Sequence, residues 1–207
     1  AWGLFMGDPL GLVQREAEFS WVVDPPVDWA VTVDGQPMTA GDFDPVEWTE
    51  DNSPSGAAVT ANRTRPGLTV RVQTMVYHEV AGLMRTLSIL NTSDEARTLS
   101  TATVDALNFG HDGVAFGGHT FSMRETDPGS PPPAWQPSAD ATVVRADACG
   151  LVLGAEQGLA LDRADGLVRF VMEGGIELPP NKLTVLPSAY LLAFMGPMNL
   201  QVESQYY

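Results

Sequence analysis

Lysine is nearly missing from this chain. Lys182 is the only one in 207 residues, and the 11 basic residues face 26 acidic ones. The resulting formal net charge of −15 repels phosphate backbones and argues against nucleic acid as a partner. The same acidity suits solubility, or an acidic or salty habitat. Cysteine is limited to Cys149, so no intrachain disulfide can form and the redox compartment is left unmarked. Its neighbours Asp147, Ala148, Gly150 and Leu151 offer no base and no second thiol, so Cys149 reads as a small core residue rather than a nucleophile. No apolar run reaches the roughly 18 to 20 residues that a membrane helix requires. The nearest, Leu183 to Met195, is interrupted by Pro187 and Ser188, and no membrane partner is expected. The chain opens at Ala1 with neither Met nor a charged-then-apolar leader, as expected of a processed chain or one cut from something larger.

Recognisable catalytic signatures are missing too. Gly117-Gly118 and Gly174-Gly175 lack the spacing and the following helix of a phosphate loop. No Gly-x-Ser-x-Gly elbow is present. Histidine occurs three times, as His78, His111 and His119. His78 falls in an alternating segment and reads as structural. His111 and His119 flank Asp112, a set that could hold a metal or shuttle protons, but without a recognised ligand spacing. No metal and no cofactor are expected. Acidic pairs are plentiful, yet a glycosidase needs two carboxylates roughly 5 to 10 Å apart, and sequence alone places no such pair.

What the chain does have is period-two alternation. From Leu68, the residues Leu68, Val70, Val72, Thr74 and Val76 share one face, and Thr69, Arg71, Gln73 and Tyr77 the other, with Met75 as the apolar exception. This is a strand with one buried side. A second strand after Gly82 carries Leu83, Leu87 and Ile89, with Arg85 on the same face. Asn91-Thr92-Ser93-Asp94-Glu95 is a turn whose side chains bond their own backbone. A third strand runs from Thr98 to Phe109, and the three read as an antiparallel meander. Earlier strands are expected over Phe19 to Val23 and Trp29 to Val33, the latter ending in an Asp34-Gly35 hairpin signal. Later ones fall near Ala141 to Arg145, Leu151 to Ala155, Leu159 to Asp162 and Leu167 to Glu173, with one or two more across Lys182 to Phe194. No amphipathic helix is evident. The expectation is a single all-β domain over residues 1–207, a two-layer antiparallel β-sandwich with little helix.

Two stretches read as loops. Gly41 to Ser55 is acidic, with Asp42, Asp44, Glu47, Glu50 and Asp51. Gly110 to Pro137 holds five Gly and five Pro around Pro131-Pro132-Pro133, and long loops of this kind tend to be functional or disordered. The polyproline run is stiff and extended and is expected to hold Trp135 outward. Trp135, His111, Asp112, His119 and Arg124 are therefore the candidate contact set, an aromatic platform beside polar groups that suits a sugar or a partner surface. Of the other tryptophans, Trp21 and Trp29 lie in expected strands and read as core; Trp2 and Trp48 complete the five. Asn62-Arg63-Thr64 and Asn91-Thr92-Ser93 match the glycosylation triplet, which matters only in a secreted eukaryotic chain.

Three passages carry a family resemblance. The first runs Thr69-Val70-Arg71-Val72, then Tyr77-His78-Glu79, then Met84 through Glu95, followed by Arg97-Thr98-Leu99-Ser100. The second is Phe116 through Glu125, and the third is Ile176-Glu177-Leu178-Pro179-Pro180-Asn181. In order and spacing they resemble the N-terminal β-sandwich of family 36 α-galactosidases and related glycoside hydrolases. The resemblance implies a galactose-mutarotase-like supersandwich, two large antiparallel sheets packed face to face. It places the catalytic carboxylates on a following barrel, so no catalytic residue is carried over to residues 1–207. The implied role is an accessory domain that braces the catalytic domain or a neighbouring subunit. The alternatives are a stand-alone carbohydrate-binding or adhesion domain, and a small mutarotase-type enzyme.

Overall fold

The computed structural model describes the backbone of residues 2–5, 11–14, 19–20, 29–54, 56–77, 82–108, 115–122, 140–146, 149–164 and 167–195, and side chains over 29–54, 56–77, 82–107, 151–162 and 167–192. Its strands, in chain order, are β1 (Trp2–Phe5), β2 (Gly11–Gln14), β3 (Phe19–Ser20), β4 (Ala30–Val33), β5 (Gln36–Thr39), β6 (Glu47–Ser53), β7 (Gly56–Arg65), β8 (Leu68–Tyr77) and β9 (Gly82–Asn91). They continue as β10 (Arg97–Asn108), β11 (Ala115–Ser122), β12 (Asp140–Ala146), β13 (Cys149–Ala155), β14 (Ala160–Ala164), β15 (Leu167–Leu178), β16 (Leu183–Val185) and β17 (Ala189–Met195). One 3-10 turn, Ala40–Asp42, is the only helical element among the described residues.

Two antiparallel sheets form the sandwich. The larger runs β11-β12-β13-β17-β9-β8-β7-β6, with β16 paired to β9 beyond the end of β17. The smaller runs β14-β15-β10-β4-β5. A separate three-stranded sheet joins β1, β2 and β3. The alternation at Leu68 is realised: Leu68 and Val70 are fully buried, Val72 and Thr74 nearly so, and Arg71 faces solvent. Facing them from the smaller sheet are Trp29, Val31, Leu99, Val104, Val168 and Phe170, all within one continuous core. Removing this apolar surface from water is the main drive for the two sheets to pack. The Asp34-Gly35 hairpin also forms: both residues have positive φ, 52° and 74°, and Val33 pairs with Gln36. That geometry matches the right-handed twist of the flanking strands.

Three expectations need correction. The segments β8, β9 and β10 are not a meander. β8 and β9 pair as a hairpin, but β10 crosses to the other sheet and lies between β4 and β15. The Asn91–Glu95 turn is thus the bend of an arch, and β10 is a central strand, with Leu99, Ala102, Val104 and Ala106 all at 1% exposure or less while Thr98 and Thr101 stay exposed. Residues 41–55 are not simply a loop, because Glu47–Ser53 pairs with β7 as an edge strand. All seven of its residues are exposed, so neither face carries the alternation that marks a half-buried strand. Finally, the Gly- and Pro-rich stretch contributes β11, which pairs with β12. Its ladder is interrupted between Phe116 and Thr120, across Gly117-Gly118. A bulge at glycines on an edge strand is how such a sequence can still join a sheet.

The sheets are also pinned by a buried ion pair. Arg85, on the inner face of β9, donates from Nη1 to Asp105 Oδ1 of β10 at 2.6 Å. The side chains are 9% and 2% exposed, and the Ala106 N–H donates to the same carboxylate oxygen.

Candidate functional site

The turn carrying the sequence resemblance is a structural brace. Asn91 ends β9 fully buried. Its Nδ2 donates to Glu95 O and to Leu178 O, each at 2.8 Å. Its Oδ1 accepts from Ser93 N at 3.0 Å, and Ser93 Oγ lies 2.7 Å away. One amide therefore closes its own turn and ties it to the end of β15. Around it, Thr92 N donates to Gly67 O, Asp34 N donates to Thr98 O, and Thr98 N donates to Asp34 Oδ1. These bonds gather three turns at one end of the sandwich: Asp34-Gly35, Pro66-Gly67 and the Asn91–Glu95 arch.

A cleft of about 570 Å³ opens over this junction, with Val33 and Met38 contributing apolar lining. Two guanidinium groups border it. Arg65, the last residue of β7, has Nη1 2.8 Å from Met38 Sδ and its guanidinium carbon 5.7 Å from the centre of the Phe43 ring. Phe43 in turn meets Trp29 edge-on, with ring centres 5.3 Å apart. Arg97, the first residue of β10, has Nε 3.4 Å from Ser93 Oγ and 4.0 Å from Asp34 Oδ2. Gly67, at φ +80°, leaves the space that this side chain needs: a Cβ there would lie 2.6 Å from Arg97 Nη2. Asp94, Glu95 and Gln36 also line the cleft. Near Arg65, Asp42 accepts from Thr39 N and Thr39 Oγ. The backbone bond first, then the hydroxyl, holds its carboxyl below the ordinary aspartate range. The cleft thus combines cationic donors with carboxylate acceptors.

The second feature is the β6 edge. Trp48 is 46% exposed and stands on the same face as Glu50 and Asn52, while Glu47, Thr49 and Asp51 take the other. β6 ends the strand order of its sheet among the described residues, and an open edge offers unpaired N–H and C=O groups to another chain. Leu183 and Val185 of β16 are exposed as well, at 43% and 61%.

Of the contact set expected from sequence, Trp135, His111, Asp112 and Arg124 lie outside the described residues, as do His78 and Trp21. His119 falls within β11 and Cys149 within β13, but their side chains lie outside the described ones. Trp29 is core, at 2% exposure. Among the described residues no group of three His, Cys, Asp or Glu could hold a metal ion. Sequence reasoning missed Trp48, because the acidic run around it showed no alternation, and it missed Arg65 and Arg97. The Pro66-Gly67 pair, a turn signal directly after Arg65, is the one local clue to the cleft.

No family model and no curated protein matches the chain. Solved structures do. The α-N-acetylgalactosaminidase NagBb from Bifidobacterium bifidum aligns with a TM-score of 0.62 and 11% identity, over 95% of this chain and 35% of that one. A polysaccharide lyase aligns at 0.55 and 12% identity, over 95% of this chain and 32% of that one. The GH36 α-galactosidase AgaA from Geobacillus stearothermophilus, in complex with 1-deoxygalactonojirimycin, aligns at 0.51 and 12% identity, over 82% of this chain and 30% of that one. The chain spans about a third of the length of these proteins. At such identities the likeness is one of fold, and the resemblance to family 36 enzymes holds at that level.

Proposed function

We propose that residues 1–207 form one accessory β-sandwich domain of a larger glycoside hydrolase-like protein, bracing its catalytic domain or a neighbouring subunit. The observation that supports this reading is the lopsided coverage: nearly the whole chain overlays on about a third of NagBb. The acids that cleave a glycoside would then lie on a barrel beyond these residues. Antibodies raised against the purified domain should recover, from the source organism, a polypeptide or stable complex well above the size of 207 residues that hydrolyses an aryl α-glycoside. Recovery of the free 207-residue chain alone, with no such activity attached, contradicts the proposal.

The β6 edge is the proposed docking element, with Trp48 as its anchor. Truncating an exposed side chain changes stability by no more than about 0.5 kcal/mol, whereas losing a tryptophan anchor at an interface costs about 2 kcal/mol or more. Trp48→Ala is therefore expected to leave the melting temperature of the isolated 207-residue chain almost unchanged, and to act only on its docking in the full-length protein. Association with the rest of the enzyme should weaken at least tenfold. The Gly110–Pro137 stretch is the second proposed contact, through Trp135 with His111, Asp112, His119 and Arg124, and Trp135→Ala belongs in the same assay. If instead either variant loses binding to immobilised galactosides while the assembly stays intact, the domain is a carbohydrate-binding module.

A further inference from the structure

We propose that the cleft over the turn junction binds a sugar acid, a polyhydroxylated carboxylate of monosaccharide size, with Arg65 and Arg97 holding the carboxylate. The starting point is where the arginine charges go. In a chain with 26 acids and 11 bases, a half-buried guanidinium would be expected to sit against a carboxylate. Arg85 and Arg169 do, paired with Asp105 and Asp162. Arg65 makes no ion pair that close among the described residues: it contacts a thioether and an aromatic face. The carboxylate of the nearby Asp42 is already engaged by Thr39. Arg97 reaches Asp34 only at 4.0 Å, and Asp34 Oδ1 is committed to the Thr98 N–H. A guanidinium has five N–H donors in a planar fork that matches a carboxylate, and both side chains line the cleft.

The other wall selects among anions. Asp94 and Glu95 are exposed carboxylates lining the same space, and they repel a bare anion. They accept hydrogen bonds from hydroxyl groups. A neutral sugar satisfies the acids and leaves the guanidiniums idle; a simple carboxylate does the reverse. A sugar acid engages both, and about 570 Å³ lies within the usual range for small-ligand sites, roughly 300 to 1,000 Å³. The frame is set before a ligand arrives, because the Asn91 amide and the Gly67 backbone fix the turns that present Arg97 and Ser93. Pre-set donors lose less freedom on binding. This site does not depend on the accessory role and would be present in the isolated domain.

The test is titration of the isolated chain by calorimetry, with galacturonate, galactose and acetate as separate probes. Galacturonate should bind with a dissociation constant at or below the millimolar range, galactose and acetate at least tenfold more weakly. Arg65→Gln and Arg97→Gln should each weaken galacturonate at least tenfold. Because Arg97 also braces its turn, the melting temperature of that variant is checked, and Arg65→Gln, which removes no main-chain contact of the junction, decides if Arg97→Gln unfolds. Asp94→Asn combined with Glu95→Gln should narrow the gap between galacturonate and acetate. Galactose or acetate binding as tightly as galacturonate, no galacturonate binding at millimolar concentration, or binding that survives Arg65→Gln would each overturn the assignment.

Discussion

Asp105→Ala is expected to destabilise the domain by about 3–5 kcal/mol, because removing one partner of a buried ion pair leaves the other charge uncompensated. The pair joins the inner face of the large sheet to the central strand of the small one, so the loss should appear as weaker cohesion of the whole sandwich. For a domain of this size the melting temperature should fall by on the order of 10 °C. The informative control is the double replacement Arg85→Met with Asp105→Leu. Apolar groups of similar size spare both charges their desolvation, so the double variant should recover most of the stability lost by either single one. Urea unfolding at neutral pH measures all three. A loss below about 1 kcal/mol for Asp105→Ala, the range of a surface pair, would mean that this bridge does not hold the sheets together.

Asn91→Ala should cost about 1–3 kcal/mol, chiefly because the carbonyl of Leu178, a fully buried residue at the end of β15, loses the Asn91 amide donor. Asn91→Asp distinguishes this from mere loss of side-chain volume. It has nearly the same shape, but it sets a carboxylate oxygen against the Leu178 and Glu95 carbonyls where the amide placed a donor. It should therefore be no more stable than Asn91→Ala. Thermal unfolding of the two variants side by side is sufficient, and an Asn91→Asp protein as stable as the parent would show that the amide donor is dispensable.

The contrast between these two sites shows how far the sequence could be read. Strands with one buried face were legible, as at Leu68, Val70 and Val72, because burial imposes period two. The Asp34-Gly35 hairpin was legible because its backbone geometry favours those residue types. Arg85 stood out as a charge on an apolar face, but its partner did not, since Asp105 reaches it only after the chain changes sheets. The same local turn chemistry suits a hairpin and an arch, so Asn91 bonding to Ser93 and Glu95 could be expected while its bond to Leu178, 87 residues away, could not. β6 was illegible for the opposite reason: with both faces in water, nothing constrains its pattern, and Trp48 passed as part of an acidic loop. Arg65 and Arg97 lie on different strands, with β8 and β9 between them in the chain, and only the gathering of three turns makes them one site.

As the proposed accessory domain, the chain should have no hydrolytic centre of its own. The direct measurement is turnover of aryl α- and β-glycosides by the purified 207-residue chain. No hydrolysis above the uncatalysed background is predicted. Turnover that survives repurification, and that disappears when one acid within residues 1–207 is replaced by its amide, would contradict the account and place a catalytic carboxylate in this domain.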